Sequence, residues 1–304
     1  MLNYTSGQVN KKWGKRNEGA FQVAEGPKRV KTILRQIADI ARLHLATRPF
    51  MRYSLHITVC GPIFNICLFD RAGGVVSKDY DLKKGGDFET FVRIIRRATC
   101  NMDAYELGLD PTVTPLDYLG SVARYPRFKV EVGDNTYHTY GFPIWQSTTL
   151  QGRGTWVFGA TKEDIPNPKP CDRLVLKNAW RAYGRLPEST LYGMINKLQE
   201  GDNMPSLRCV AEFVDGGDVT VEGDILQDPA IGSEITGDAV NQQVPMRVSS
   251  HRKFVEGAES NPHNPALHRV VLATRGKSMA SYTSFVELLS AAECAAEGKQ
   301  AILP

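Results

Sequence analysis

The sequence has little of what marks secreted, membrane-spanning or disulfide-framed proteins. No hydrophobic run approaches the roughly 18 residues that indicate a transmembrane helix. The basic residues near the N-terminus are not followed by the apolar segment of a signal peptide. The six cysteines include no Cys-x-x-Cys pair and no Cys/His spacing suited to zinc, so we expect reduced thiols. These absences predict an intracellular protein, cytoplasmic or nuclear, that does not bind membranes.

Neither sign of charge dominates the chain, which has 37 Lys and Arg residues against 33 Asp and Glu residues and a net charge of +4. This balance gives no reason to expect nucleic acid as a partner. What is present is an ordinary globular composition, with 42% hydrophobic and 23% charged residues among 304 positions. The length is sufficient for one large domain or two ordinary domains.

Changes in composition and periodicity divide the chain into three parts. Residues 1–27, in which Gly, Asn and Lys dominate, are predicted to be a disordered basic tail. Residues 28–143 are predicted to form an α+β block of helices and short strands. Residues 144–304 are predicted to form an antiparallel sheet with one helix, a long flexible insertion at about 215–265, and a final helix.

Within the first block, apolar residues at three- and four-residue spacing, among them Ile37, Ile40 and Ala41, predict a helix that runs from Pro27 and is ended by Pro49. Alternating residues predict a meander of about three strands up to Leu82, and a hairpin is predicted across Gly133-Asp-Asn135. Asp87 is interpreted as the N-cap of a second helix. That helix carries three arginines that fit either a phosphate patch or, more commonly, a solvated face: Arg93, Arg96 and Arg97.

The stretch from Leu150 to Lys177 has features of a nucleotide site. Gly152 and Gly154 lie between two predicted strands, and closely spaced glycines let backbone N–H groups approach a phosphate. Lys177 ends a following strand, from which its ammonium group can reach the same phosphates. Taken alone, such a stretch is more often a tight hairpin with an exposed lysine. The neighbouring segments therefore decide between the two interpretations.

Those neighbours predict five strands with a helix between the third and the fourth. The strands, in order, are Trp145–Gln151, Thr155–Lys162, Arg173–Lys177, Leu207–Val214 and Arg269–Arg275. This order, with a glycine-rich turn between the first two strands and a lysine on the third, resembles the layout of a protein-kinase N-lobe. In such a lobe an acid on the helix holds the lysine against the α- and β-phosphates of ATP. Glu188, at the start of the predicted helix, suits that role, although a first-turn acid is also favoured by the helix dipole.

Several segments resemble the fungal-type protein kinase family, and they occur in the family's order. Four resemble the block ahead of the kinase domain: 34–42, 68–76, 91–95 and 106–112. Three more resemble the glycine-rich loop, the lysine strand and the strand that runs into the hinge: 152–155, 175–180 and 269–276. The match covers roughly residues 28 to 303. It implies the fold of a kinase that transfers phosphoryl groups from ATP to Ser, Thr or Tyr hydroxyls of proteins, with Mg²⁺ as the metal.

The resemblance also implies where ATP would bind. The loop would cradle the phosphates, the strand lysine would contact them, the helix acid would orient the lysine, and the hinge would meet the adenine. The implied binding residues are Gly152, Gly154, Thr155, Val157, Lys177, Glu188, Thr274 and Gly276.

Two departures limit what the resemblance implies. Val157 stands where the general loop motif Gly-x-Gly-x-x-Gly has its third glycine. No catalytic-loop aspartate and no Asp-Phe-Gly triplet follows the hinge segment. We therefore expect a truncated, inactive form with the C-lobe essentially absent, no catalytic or metal-binding residues, and weak ATP binding or none.

A function from a different class remains open, that of a non-catalytic, pseudokinase-like interaction module. Its binding surfaces would be the N-terminal block and the last helix, whose apolar face carries Phe285, Leu288, Leu289 and Ala292. An uncovered apolar face of this kind is expected to contact a protein partner or the missing C-lobe.

Overall fold

The structure is a computed structural model in which the described residues are 2–4, 28–116, 125–165, 167–182, 184–199, 210–222, 243–246, 265–273, 276 and 281–302. Most of the predicted tail, much of the predicted insertion, and Thr274 lie outside these residues. The described part contains four α-helices and antiparallel sheets, which confirms the α+β class. None of its helices combines the length and the apolar character needed to cross a membrane.

The first unit packs helix α1, Lys28–Thr47, on a five-stranded antiparallel sheet. The predicted helix is thus confirmed, and Ile37, Ala41 and Leu45 form its buried face. Ile40 was predicted on the same face and is instead exposed, because it lies about a third of a turn round the helix from it. The strands are β1 Leu2–Tyr4, β2 Tyr53–Cys60, β3 Ile63–Asp70, β4 Gly74–Val76 and β5 Tyr80–Asp81. Strand β1, within the predicted tail, pairs with β4.

Helix α2, Gly85–Arg96, continues into a π-helical turn at Arg97–Asn101. The prediction of Asp87 as its N-cap is wrong, because the cap position is Lys84 and Asp87 lies in the first turn. The Asp87 carboxylate instead accepts a hydrogen bond from the backbone N–H of Asp81, 2.8 Å away, outside the helix. Of the three arginines, Arg97 pairs with Glu106, the two groups being 3.3 Å apart.

The second unit is a seven-stranded antiparallel sheet. Its strands are β6 Val113–Pro115, β7 Phe128–Val132, β8 Asn135–Gln146, β9 Trp156–Thr161, β10 Leu174–Ala182, β11 Phe213–Asp218 and β14 Pro265–Leu272. They lie side by side in the order β11-β14-β10-β9-β8-β7-β6. Helix α3, Glu188–Gln199, lies between β10 and β11 in sequence. A two-stranded ribbon joins β12, Thr220–Glu222, to β13, Gln243–Pro245. Helix α4 is Phe285–Ile302.

Strand β8 differs from the prediction of two separate strands in this region. The hairpin with β7 is confirmed, but β8 then continues to Gln146, so the predicted strand Trp145–Gln151 is wrong. The pairing of β8 with β9 is irregular between Tyr140 and Trp145, and Gly141 in this stretch has a φ of 67°. This irregularity allows the same strand to pair with β7 in its first part and with β9 further along. The predicted division at residue 143 falls inside β8, and β6 and β7 lie in the same sheet as β9 and β10.

Phe50, which follows helix α1 in the first unit, packs in the core of the second unit. Its ring stacks on Phe158 at a centroid distance of 5.4 Å and meets Phe128 edge-on at 5.1 Å. The rest of this core comes from one face of the seven-stranded sheet and includes Val130, Val271 and other buried residues: Val113, Val132, Tyr137, Trp156, Ala160 and Leu176. Burial of Phe50 among these side chains stabilises the contact between the two units.

Cysteine chemistry is mixed in the described residues. Cys60, Cys67, Cys100 and Cys171 are free thiols, as predicted. Cys294 on α4 is disulfide-bonded, so the prediction of reduced thiols is wrong at this position.

Candidate functional site

Lys177 and Glu188 form a close ion pair between strand β10 and the first turn of helix α3. The Lys177 ammonium donates to both carboxylate oxygens of Glu188, at 2.8 Å and 2.6 Å. Each side chain is about one quarter exposed, at 25% and 27%, so both can meet a ligand from solvent. The predicted pairing of the strand lysine with this helix acid is therefore present, and the acid also occupies the first turn that the helix dipole favours.

Sheet register places a predicted loop residue beside this pair. Val157 on β9 is directly opposite Lys177 on β10, and residues opposite each other across antiparallel strands project from the same face. Arg153, in the turn between β8 and β9, extends its guanidinium to 3.6 Å from Glu188. The backbone carbonyl of Arg153 accepts a hydrogen bond of 2.7 Å from the N–H of Trp180, which holds the turn against β10.

A cavity of about 540 Å³ opens beside the ion pair, between β10, β14 and helix α3. Its lining combines apolar side chains of α3, such as Leu191 and Ile195, with a group of cations: Arg153, Lys177, Arg181 and Arg185. Among the described residues that line the cavity, Glu188 is the one carboxylate. The excess of positive charge over an apolar floor suits a ligand with an anionic group, because each cation there favours negative charge nearby.

The glycine-rich turn, residues 147–155 between β8 and β9, contains three of the residues predicted to cradle phosphates, Gly152, Gly154 and Thr155. Gly152 and Gly154 both have positive φ, at 100° and 46°, which non-glycine residues rarely adopt. Gly152 is exposed, whereas Gly154 and Thr155 are buried. Gly154 packs against the guanidinium of Arg71 from the first unit, so its missing side chain makes room for an arginine of this chain.

The hinge residues of the prediction are not brought to the ion pair by any described contact. Thr274 lies outside the described residues, and Gly276 is exposed. Of the predicted binding residues, Lys177 and Glu188 are joined directly, and Val157 is their neighbour across the strands.

A second polar cluster at the far end of β10 supports the cavity wall. The Nε of Arg181 donates to Asp218 at 2.8 Å, and Asp218 also accepts from Nδ1 of His268 at 2.8 Å. Because the backbone N–H of Ser189 donates to Nε2 of His268, at 3.3 Å, the ring proton of the neutral imidazole is on Nδ1. Burial alone would raise the pKa of Asp218, but the hydrogen bonds from His268 and Arg181 lower it to about 2.

Sequence reasoning missed Arg153, Arg181, Asp218 and His268 at this site. Each comes into contact through tertiary packing of separate elements, and none belongs to a local motif that predicts it. Arg153 alone had a signal, since it lies between the two glycines already singled out.

Comparison with known proteins gives a family. No curated protein and no solved structure matches the chain. The family model described as Fungal protein kinase matches residues 10–303, nearly the whole of the 304-residue sequence. The chain therefore belongs to the fungal protein kinase family.

Proposed function

We propose that this chain binds ATP, with the phosphates beside the Lys177–Glu188 pair. The observation that carries the proposal is the ion pair itself, in which the ammonium lies 2.6 Å and 2.8 Å from the two carboxylate oxygens. A lysine oriented in this way by a helix acid presents a fixed positive charge to the phosphates of a nucleotide. Membership of a protein kinase family makes ATP the nucleotide to expect.

The surrounding elements support the same proposal. The β8–β9 hairpin with its glycine-rich turn, the lysine strand β10, helix α3, and strands β11 and β14 follow the order of a kinase N-lobe, and we infer that they form one. In that arrangement the exposed Gly152 and the partly exposed Val157 would border the nucleotide. Thr155 and Gly154 would act through the backbone of the turn. The adenine would lie toward the chain after β14, where Thr274 and Gly276 are the inferred hinge.

The proposal concerns nucleotide binding and not phosphoryl transfer. No aspartate of catalytic-loop or Asp-Phe-Gly type follows the hinge segment in these 304 residues. The family implies Mg²⁺, but the described residues contain no group of three His, Cys, Asp or Glu side chains that could hold a metal ion.

Calorimetric titration with MgATP tests this proposal. Lys177→Met should weaken binding about 10- to 100-fold, because a hydrogen bond to a charged group contributes about 1.5–3 kcal/mol. Lys197→Met removes an exposed lysine from the last turn of the same helix as Glu188 and serves as the matched control. Equal ATP affinity in the wild type, Lys177→Met and Lys197→Met would contradict the proposal.

A second candidate, a non-catalytic interaction module, is favoured by the surface of helix α4. Phe285, Val286 and Leu289 on this helix are 71%, 72% and 58% exposed, which is unusual for large apolar side chains so close together. In this case the protein would act by contacting another protein through α4 and through the first unit. Sedimentation velocity of the wild type and of Leu289→Ser at matched concentrations measures whether the chain associates with itself through α4. A larger sedimentation coefficient for the wild type than for Leu289→Ser would show such association.

A further inference from the structure

We propose that Arg71 is the positioning residue of the glycine-rich turn, and that through it the first unit controls the shape of the nucleotide site. Arg71 belongs to the segment Leu68-Phe-Asp-Arg-Ala-Gly-Gly-Val76, which has no part in the ATP site implied by the family resemblance. The effect on ATP depends on the proposed function, but the effect on the turn does not.

The side chain of Arg71 holds the turn through its backbone carbonyls. Arg71 is 3% exposed, and its Nη1 donates to the carbonyl oxygens of Thr149 at 2.5 Å and Leu150 at 3.3 Å. Its Nη2 donates to the carbonyl of Leu45, near the end of helix α1, at 3.0 Å. One guanidinium thus ties the turn to the helix of the other unit.

The backbone of Arg71 makes a further connection to the same turn. Its carbonyl accepts a hydrogen bond of 3.2 Å from the N–H of Gly152. Gly154 closes the contact, because a Cβ atom built on it would lie 2.3 Å from Nε of Arg71. Glycine at 154 therefore leaves room for Arg71, and it also permits the positive φ of that position.

The turn that presents Arg71, residues 70–74, is itself held by hydrogen bonds. The Oδ1 atom of Asp70 accepts from the N–H groups of Ala72 at 2.8 Å and Gly73 at 3.1 Å. The N–H of Asp70 donates to the carbonyl of Gly73 at 2.9 Å. Gly74 allows the chain to pass the ring of Phe69, since a Cβ atom there would lie 2.6 Å from that ring. The hydrogen bonds within Asp70-Arg-Ala-Gly-Gly74 thus hold the backbone that carries the Arg71 side chain toward the glycine-rich turn.

The electrostatics of Arg71 favour binding to carbonyl oxygens. Burial lowers the pKa of Arg71 to about 10, with Asp70 acting in the opposite direction, so the side chain stays charged at neutral pH. Peptide carbonyls are the neutral acceptors that offset the cost of burying this charge. The two turn carbonyls that Arg71 binds are not free to face a phosphate, which removes a source of repulsion from the nucleotide site.

Hydrogen exchange of residues 147–155, measured on the full chain, tests the role of Arg71. Arg71→Met should speed exchange at the Gly152 amide about tenfold or more, because the two side-chain hydrogen bonds that hold the turn, to Thr149 and Leu150, are lost together. It should also weaken MgATP binding. Arg71→Lys should restore part of the protection, since an ammonium can reach some of the carbonyls but lacks the planar fork.

Arg52→Met is the matched control. Arg52 is also a buried arginine of the first unit that donates to a carbonyl, that of Tyr105 at 2.8 Å, and it makes no described hydrogen bond to the turn. It should leave exchange in residues 147–155 at the wild-type rate. Equal exchange in Arg71→Met and Arg52→Met would overturn the proposal.

Gly154→Ala provides a second test if Arg71→Met does not fold. It keeps the arginine but places a methyl group against the guanidinium, so exchange at Gly152 should rise in the same way. Unchanged exchange in Gly154→Ala would count against Arg71. Failure of the wild type to bind ATP would refute the proposed function but leave these exchange outcomes as the test of Arg71.

Discussion

Asp218 lies between two cationic or proton-donating partners, Arg181 and His268, and its carboxylate is stabilised in the ionised form. Its pKa of about 2 in the folded chain lies below the value of about 3.9 expected when it is unfolded. The folded state therefore gains stability from this group above about pH 4, and the gain is lost as the pH falls toward 2.

Asp218→Asn should remove that part of the pH dependence. We expect the stability difference between wild type and Asp218→Asn to be largest near neutral pH and to shrink from about pH 4 to about pH 2. Urea unfolding at a series of pH values measures it. Parallel curves for the two proteins over this range would show that Asp218 does not have the lowered pKa.

Some residues of the site can be predicted from the sequence, and others can be recognised only from the structure. Lys177 and Glu188 were predicted because a strand lysine and a first-turn acid belong to a pattern that is local in sequence. Arg71 lies in a segment that the family resemblance picked out, but nothing local says that its side chain crosses to residues 149 and 150. His268 and Asp218 meet across 50 residues of sequence, and only packing brings them together.

Helix α3 carries Glu188 at its first residue and has a glycine in its interior. No atom of the described residues lies within 4 Å of the place where a Cβ of Gly193 would be. Gly193→Ala should therefore raise the free energy of unfolding by about 0.5–1 kcal/mol, because alanine has the higher helix propensity and restricts the unfolded chain. Urea denaturation measures this change.

Gly216→Ala is the matched comparison for that substitution. A Cβ at Gly216, in strand β11, would lie 2.7 Å from the carbonyl oxygen of Arg269, so alanine should destabilise the protein. We expect Gly193→Ala to raise the free energy of unfolding and Gly216→Ala to lower it. A change in the same direction for both variants would contradict the packing described around one of these glycines.

Elements were predicted well where their periodicity was long. Helix α1 and the β7–β8 hairpin follow from three- and four-residue spacing and from turn chemistry, and both are present. The prediction of Asp87 as an N-cap is wrong because its carboxylate accepts a hydrogen bond from Asp81 of the preceding strand. The capping preferences of helices do not include such a contact with a neighbouring strand. The separate strand at Trp145–Gln151 failed because a bulge lets β8 run on through Gly141.

The two units are joined by a buried ion pair as well as by Phe50 and Arg71. Arg269 on β14 and Asp110, near the end of the first unit, are both fully buried, and the Arg269 guanidinium bonds to the Asp110 carboxylate. Arg269 also donates to the carbonyl of Glu131 and to the side chain of Thr112, each at 2.7 Å. Arg269 therefore connects the buried interior of the second unit to the end of the first unit.

Arg269→Met should destabilise the protein by about 3–5 kcal/mol, because it leaves the Asp110 carboxylate buried without its partner. The double variant Asp110→Leu/Arg269→Met should recover much of this loss, since no unpaired charge remains. Urea unfolding followed by both tryptophan fluorescence and circular dichroism measures it. Additive losses in the double variant would contradict the coupling of the two side chains.

Labelling with an acyl phosphate of ATP tests the nucleotide site most directly, because the reactive carbonyl acylates a lysine that lies beside the bound phosphates. Mass spectrometry then identifies the labelled lysine among all those in the chain. We expect Lys177 to be acylated in preference to exposed lysines such as Lys197, and excess ATP to protect it. Labelling of Lys177 and Lys197 to the same extent, with no protection by ATP, would contradict a nucleotide site at the Lys177–Glu188 pair.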